Sequence, residues 1–475
     1  MNKDMRLIVV SNRLPMRLSL DEEGNREIIP SPGGLVTALN PVLHRNRGMW
    51  IGWVGDETEE GFQQELDKAS EGLPYEQISV PLSKEEEDTY YRGFSNETLW
   101  PLFHDLLGYC KFDPATWEEY QRINERFADY VAGHVEPNDV IWVHDYQLIL
   151  VGHYLRKKGV KNPLLFFLHI PFPSPDLYRR LPWRKELIDA LLKYDTVGFH
   201  TKRDHENFVA TVSQMNPEAG THSVGSVTTI FHDNCKTRAG NWAISIDYDE
   251  FRNAACTKDV EVEAWLFHEH FAQRSIILGV DRLDYTKGIP ERMLAFERFL
   301  EKYPEMHEKV SLFQLVVPSR THVPDYQDLK HTIDALVGRI NGRFSKAGWV
   351  PLHYVYRSLK RTELLGRYHA CEVALITPLR DGMNLVAKEY CAACIGDHGV
   401  LILSEFAGAA EELGEHVLLV NPFDIDRTAD AIHEALTMPQ EERLRRMSAL
   451  RGIIHERDVH SWVRSIFEAA GLRYD

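Results

Sequence analysis

Two cations and two carboxylates set the chemistry open to this chain. Arg282 and Lys287 stand five residues apart in Asp281-Arg282-Leu283-Asp284-Tyr285-Thr286-Lys287-Gly288. Arg forks to two phosphate oxygens and Lys acts as a mobile point charge, so this pairing suits a pyrophosphate. Asp381 and Glu389 stand eight residues apart in VALITPLRDGMNLVAKEY, Val373 to Tyr390, and both can accept hydrogen bonds from sugar hydroxyls. Each stretch also has a plainer reading. The first could be a surface loop with Asp and Lys side chains paired; in the second, Asp381 could cap a helix and Glu389 be a solvated helix residue. Taken alone, the plainer reading suits the second stretch better, while the phosphate reading leads for the first.

Two strand-to-helix connections must position these groups. The buried run Val373 to Thr377 ends at Pro378, a polar loop runs from Leu379 to Asn384, and a helical pattern begins near Leu385. Ser275 to Val280 is likewise a strand run, followed by the cationic loop and the helix signal Pro290-Glu291-Arg292. In an open α/β sheet, ligands bind at the carboxyl ends of strands, where the unpaired N–H groups of the next helix favour an anion or a ring of hydroxyls.

The whole sequence repeats this alternation. Leu7 to Val10 predicts a first strand, opening into Ser11-Asn12-Arg13-Leu14-Pro15, and Asp21 to Asn25 predicts a polar turn. Gly33 and Gly34 precede a helix pattern; adjacent glycines let a backbone approach a phosphate, although a simple turn accounts for them as well. Residues 55–135 carry mainly helix and loop signals, and the run Glu85 to Asp88 reads as a solvated acidic face. Strands Val140 to Val143 and Leu164 to Leu168 end at His144-Asp145-Tyr146 and His169, with a helix over Leu148 to Lys158 between them. A helix near Trp183 to Lys193, a strand Thr196 to His200 and a helix Arg203 to Met215 follow. Ala243 to Asp247 should close a first domain, and Asp247-Tyr248-Asp249 reads as a chance D-x-D before a linker. The second half predicts strands at 275–280, 311–317, 352–356, 373–377, 400–404 and 416–420, with helices at 290–302, 325–339, 361–370 and 385–394. Two final helices, Glu441 to Glu456 and Val459 to Leu472, have no strand partner.

This pattern predicts an α/β protein of two doubly wound, Rossmann-like parallel sheets, and 475 residues are too many for one core. The expected domains are 1–248, 249–455 and a C-terminal helix at 456–475 crossing back onto the first. A formal charge of −17 argues against a nucleic-acid surface and requires any phosphate site to be a local basic pocket. The run Leu7 to Val10 is too short for a signal-peptide core, and no stretch is long and uncharged enough for a membrane span. Six cysteines, at 110, 235, 256, 371, 391 and 394, are sparse and predict reduced thiols in a cytoplasmic protein. Cys391 and Cys394 form a C-x-x-C with no second pair nearby, so core packing is expected of them.

Seven stretches in one order, SNRLP, FSNETLWP, VHDY, FFLHIPFPSP, RLDYTKG, RDGMNLVAKEY and LSEFAGAAEEL, resemble the trehalose-6-phosphate synthases of glycosyltransferase family 20 over nearly the whole chain. The resemblance implies the two-domain GT-B fold, with the sheets facing across a cleft. It implies a retaining transfer of glucose from a nucleoside diphosphate glucose, UDP-glucose by preference, to glucose 6-phosphate, without metal or cofactor. Arg282 and Lys287 would then stabilise the leaving diphosphate, Gly34 would approach it, and Glu389 would bind the ribose. Asp381, with Gly382, Met383, Asn384, Leu385 and Val386, would hold the donor glucose, with His169 at its 6-hydroxyl. Arg13, Tyr91, Trp100 and Arg320 would bind the acceptor's phosphate, and Asp145 would align the acceptor. Ser245 stands where family members often carry Gly. Two rival expectations remain: a same-family enzyme acting on glycerol 3-phosphate, and a catalytically silent sugar-phosphate sensor. The oligomeric state is open, a homo-oligomer included.

Overall fold

Leu7–Arg13 is a fully apolar strand over its first four residues, and it sits inside a sheet with both faces covered. In the computed structural model, which describes residues 6–20, 26–31, 34–46, 48–58, 61–271, 274–320, 323–396 and 398–472, the chain divides into two compact units. The first comprises Met1–Ile244 with Val459–Asp475, and the second Ser245–Asp458.

The first unit is built on a nine-stranded sheet in the order Glu76–Ser79, Gly48–Trp53, Leu7–Arg13, Val140–His144, Leu164–Phe167, Thr196–Phe199, Cys235–Asn241, Val227–His232 and Gly220–Val224. All pairings are parallel except the last two. Leu7–Arg13 lies between the strand that comes next within this sheet, Gly48–Trp53, and one that follows much later, Val140–His144, so the winding direction reverses there. The reversal leaves a crevice at the carboxyl ends of Leu7–Arg13 and Val140–His144. Helix Val459–Ala469 covers this sheet: Trp462 lies 5.1 Å from the rings of both Trp142 and Phe167, and Phe467 lies 5.6 Å from Trp142.

The second unit holds a six-stranded, wholly parallel sheet: Leu352–Tyr356, Val310–Val317, Ser275–Arg282, Val373–Ile376, Val400–Ser404 and Leu418–Val420. Its winding reverses between Ser275–Arg282 and Val373–Ile376, the two strands expected to carry the candidate residues. Among the described residues no helix is long and apolar enough to cross a membrane.

Several features depart from expectation. Gly220–Val224, Val227–His232 and Cys235–Asn241 form an antiparallel edge that the alternation of strands and helices did not predict. The acidic run is only in part a solvated face: Glu85 and Asp88 are exposed, but Glu86 and Glu87 are not. Glu87 is buried, with Lys84 at 2.7 Å and Arg92 at 2.9 Å, and Glu86 is bridged by Arg122 and Arg126. Burial alone would raise the Glu86 carboxyl, but hydrogen bonds led by Arg126 bring it down to about 2. Helix Ile425–Thr437 was also not anticipated. Cys371, Cys391 and Cys394 are buried free thiols packed in the second unit's core. The expected turn at Asp21 to Asn25 and the first glycine of the pair, Gly33, lie outside the described residues.

Candidate active site

At the reversal in the second sheet, a buried ion pair underlies the cationic loop. Arg292, wholly buried, reaches Asp281 Oδ2 at 2.5 Å and donates to Thr377 Oγ1 at 3.1 Å and Gln314 Oε1 at 3.1 Å. One guanidinium thus ties together three adjacent strands. Gly288 then turns with φ 62°, and a Cβ there would meet the Thr377 carbonyl at 2.3 Å, so only glycine lets the two loops approach this closely.

Above this base, Lys287 Nζ lies 2.6 Å from Asp381 Oδ2, with only 11% and 13% of the two side chains exposed. Arg282, at the end of its strand, is exposed. Two cations and one carboxylate therefore converge where the winding reverses, leaving a net positive face at the strand ends. Asp381 also accepts from Asn384 Nδ2 at 3.1 Å, and its backbone N–H donates to the Phe406 carbonyl at 3.1 Å. Asp381 is not the helix cap. Asn384 takes that place, in the left-handed region at φ 76°, and its Oδ1 accepts from Ala387 N at 3.3 Å. Gly382 and Met383 are buried behind the loop, and Leu385 and Val386, half-buried, open the helix.

Glu389 is not a solvated helix residue either. Burial raises its pKa, and the Tyr368 hydroxyl donates to its Oε2 at 2.9 Å. Its neighbour Lys388 is buried as well and is paired with Glu412 at 2.7 Å. Arg320 reaches Asp284 Oδ2 at 3.5 Å and bonds the Tyr326 hydroxyl. Asp284 in turn accepts from Thr286 N at 3.0 Å. Burial pushes the Asp284 carboxyl up, but the charges of Arg320, Lys287 and Arg282 hold it below the usual carboxylate range. Arg320 is thereby anchored by Asp284 under the loop, whereas the Lys287 ammonium is held by Asp381.

In the first unit the reversal gathers a second group. The Arg13 guanidinium stacks 4.0 Å above the Trp53 ring and 5.4 Å from Tyr91. Gly55 makes room for it, since a Cβ there would lie 1.6 Å from Arg13 Nη1. Tyr91 belongs to a π-helical segment, Glu87–Leu99, and Trp100 begins the next helix, 5.6 Å from Tyr146. Gly34, exposed, is the first residue of helix Gly34–Asn46. Asp145 sits at φ 77° just beyond its strand, and its Oδ1 accepts from His169 N at 3.1 Å. His169 Nε2 lies 3.0 Å from His144 Nδ1, and its ring lies 5.4 Å from that of His200. Burial lowers the pKa of both His144 and His169 well below the usual value, so both are neutral at pH 7 and one ring nitrogen of the pair donates to the other.

The sequence model of glycosyltransferase family 20 matches residues 5–471. The chain belongs to glycosyltransferase family 20. It is 42% identical over 472 residues to a bifunctional trehalose-6-phosphate synthase/phosphatase of Thermoproteus tenax, covering 96% of this chain but 62% of that protein. Against a trehalose-6-phosphate synthase of Klebsiella pneumoniae it is 41% identical, covering 96% of this chain and 93% of the relative. Among solved structures it resembles a UDP-forming α,α-trehalose-phosphate synthase of Burkholderia xenovorans in complex with glucose 6-phosphate, with a TM-score of 0.88 and 36% identity over 98% of this chain and 100% of that one. The chain thus spans about three fifths of the Thermoproteus relative and nearly all of the other two. Its two parallel-sheet units are those of the GT-B fold.

Within this family 20 chain, each candidate residue lies at a strand end or the loop and helix that follow, except Gly34, Tyr91 and Trp100, which come from helices of the first unit. Sequence reasoning missed the supporting groups: Arg292 with Asp281 and Thr377, Tyr368 behind Glu389, and His144 behind His169. His144 could have been found, because it is the last residue of strand Val140–His144 and so lies at the same strand end as its neighbour Asp145. Asp247 of the D-x-D caps helix Tyr248–Ala255 by accepting from Glu250 N at 3.0 Å.

Proposed function

We propose that this protein transfers glucose from UDP-glucose to glucose 6-phosphate, with retention, giving α,α-trehalose 6-phosphate and UDP. The observation that carries the reading is the convergence of Arg282, Lys287 and Asp381 where the second sheet reverses, in a chain matching UDP-forming family members end to end. In the reaction the bond from the donor's anomeric carbon to the diphosphate oxygen breaks. The acceptor's anomeric hydroxyl oxygen bonds to that carbon, and the hydroxyl proton passes to a departing phosphate oxygen. Arg282 and Lys287 stabilise the charge that grows on the diphosphate. Gly34 brings a backbone N–H toward that diphosphate, Glu389 takes the ribose hydroxyls, and Asp381 with the residues from Gly382 to Val386 holds the glucose.

On the acceptor side, Arg13, Tyr91, Trp100 and Arg320 take the phosphate, and Asp145 aligns the sugar. A neutral His169, oriented through His144, suits a hydrogen bond to the donor's 6-hydroxyl, since it brings no competing charge next to the diphosphate. We also place the enzyme in the cytoplasm, where its six free cysteines stay reduced.

Nucleotide release tests the whole reading. UDP should appear when UDP-glucose is supplied with glucose 6-phosphate and stay at the background level with glycerol 3-phosphate. Faster release with glycerol 3-phosphate would make this a different family 20 synthase, and none with either would make it a sensor. Arg320→Ala should raise the KM for glucose 6-phosphate by about tenfold, the scale of one charge-assisted hydrogen bond, and leave the KM for UDP-glucose nearly unchanged. An unaltered acceptor KM would remove Arg320 from the phosphate site.

A further inference from the structure

The second unit holds a cavity of about 380 Å³ that shares no lining residue with the loops described above. Its size falls within the range of small-ligand pockets. Helix Lys258–His270 and strand Val310–Val317 give it aromatic walls: Phe267 and Phe313 pack edge to face at 4.9 Å, and Phe271 adds a third ring 6.4 Å from Phe313. Over Phe267, at 4.2 Å, lies the guanidinium of Arg367. Among the described residues that guanidinium pairs with Glu263, 3.5 Å away. Its Nε is buried with no hydrogen-bond partner among the described residues. Arg357 on the rim is exposed and, among the described residues, pairs with Glu363 at 3.3 Å.

His353, on the edge strand Leu352–Tyr356, also lines the cavity, its ring 4.6 Å from Phe271. Two guanidiniums and three phenyl rings thus surround a space whose lining holds one carboxylate, Glu263, the Arg357 partner Glu363 lying outside that lining. An under-bonded buried guanidinium is costly unless an acceptor arrives, and an aromatic wall favours a flat apolar body. We propose that this cavity binds a planar aromatic anion, its ring against Phe267 and Phe313 and its phosphate or carboxylate on Arg357 and Arg367.

The probe for this site is 1-naphthyl phosphate, titrated calorimetrically into the whole protein at saturating UDP so that any nucleotide site is already filled. One saturable site is expected. Arg357→Glu, on an exposed side chain that the fold does not need, should weaken it by about tenfold or more. A co-crystal should place the naphthyl ring beside Phe267. Absence of saturable binding, an affinity unchanged in Arg357→Glu, or a cavity filled by side chains of a second copy of the chain would each overturn the proposal.

Discussion

Lys287→Ala is expected to lower kcat by about 10²- to 10³-fold, the usual cost of removing one preorganised group that stabilises charge in the transition state. The ammonium acts from a fixed place. Its Nζ is held 2.6 Å from Asp381 Oδ2, in a pocket where only 11% of its side chain meets water. Low exposure strengthens its field at the leaving diphosphate, and the pairing means it need not be reorganised when charge develops. Truncation also removes the cation closest to Asp381, whose contacts with the neutral amides of Met383 and Asn384 are longer, so the carboxylate loses orientation as well as that counter-ion. Glucose 6-phosphate binding should survive within a few-fold, because Arg13 and Arg320 do not depend on Lys287. Steady-state kinetics for both substrates, with calorimetry of glucose 6-phosphate on the variant, read the two effects separately. A variant that turns over normally, or one that fails to bind the acceptor, would refute the role given to Lys287.

What the sequence revealed depended on whether the signal was local. Val373–Ile376, its loop and helix Leu385–Ala393 were readable because a buried β-branched run, a proline and a polar loop follow one another within a few residues. Gly220–Val224 was not, since all five residues are exposed and no alternation marks a core face. Charge runs misled for a related reason. Glu86 looks solvated until Arg122 and Arg126 arrive from a helix 36 and 40 residues further on. Asp381 and Asn384 are equally good caps by residue type, and only the left-handed backbone at Asn384 decides between them. The candidate residues themselves were legible through motif resemblance, but the groups that hold them were not. Tyr368 and Arg292 come from helices whose neighbours are fixed by sheet order, which no local pattern encodes.

Arg292 is where that hidden layer should show most clearly. Arg292→Met removes a wholly buried cation that satisfies Asp281, Thr377 and Gln314 at once. Breaking one side of a buried pair costs about 3–5 kcal/mol, because the stranded charge keeps its desolvation penalty. The double variant Arg292→Met with Asp281→Asn should recover most of that loss, since no unpaired charge remains. With two compact units the chain need not unfold in one step, so the quantity to follow is the urea midpoint of the transition that this substitution moves. The pH dependence supplies a second check. Burial already raises the Asp281 carboxyl above its ordinary value despite Arg292, and removing the guanidinium raises it further. An acid whose folded pKa exceeds its unfolded one binds its proton more tightly in the native state, so stability lost as pH rises through the folded pKa returns as pH falls. The deficit of Arg292→Met relative to wild type should therefore shrink between neutral pH and the mildly acidic range, while the double variant's should not. Equal destabilisation of single and double variants, or a pH-independent deficit, would show that Arg292 supports the loop through packing and not through its charge.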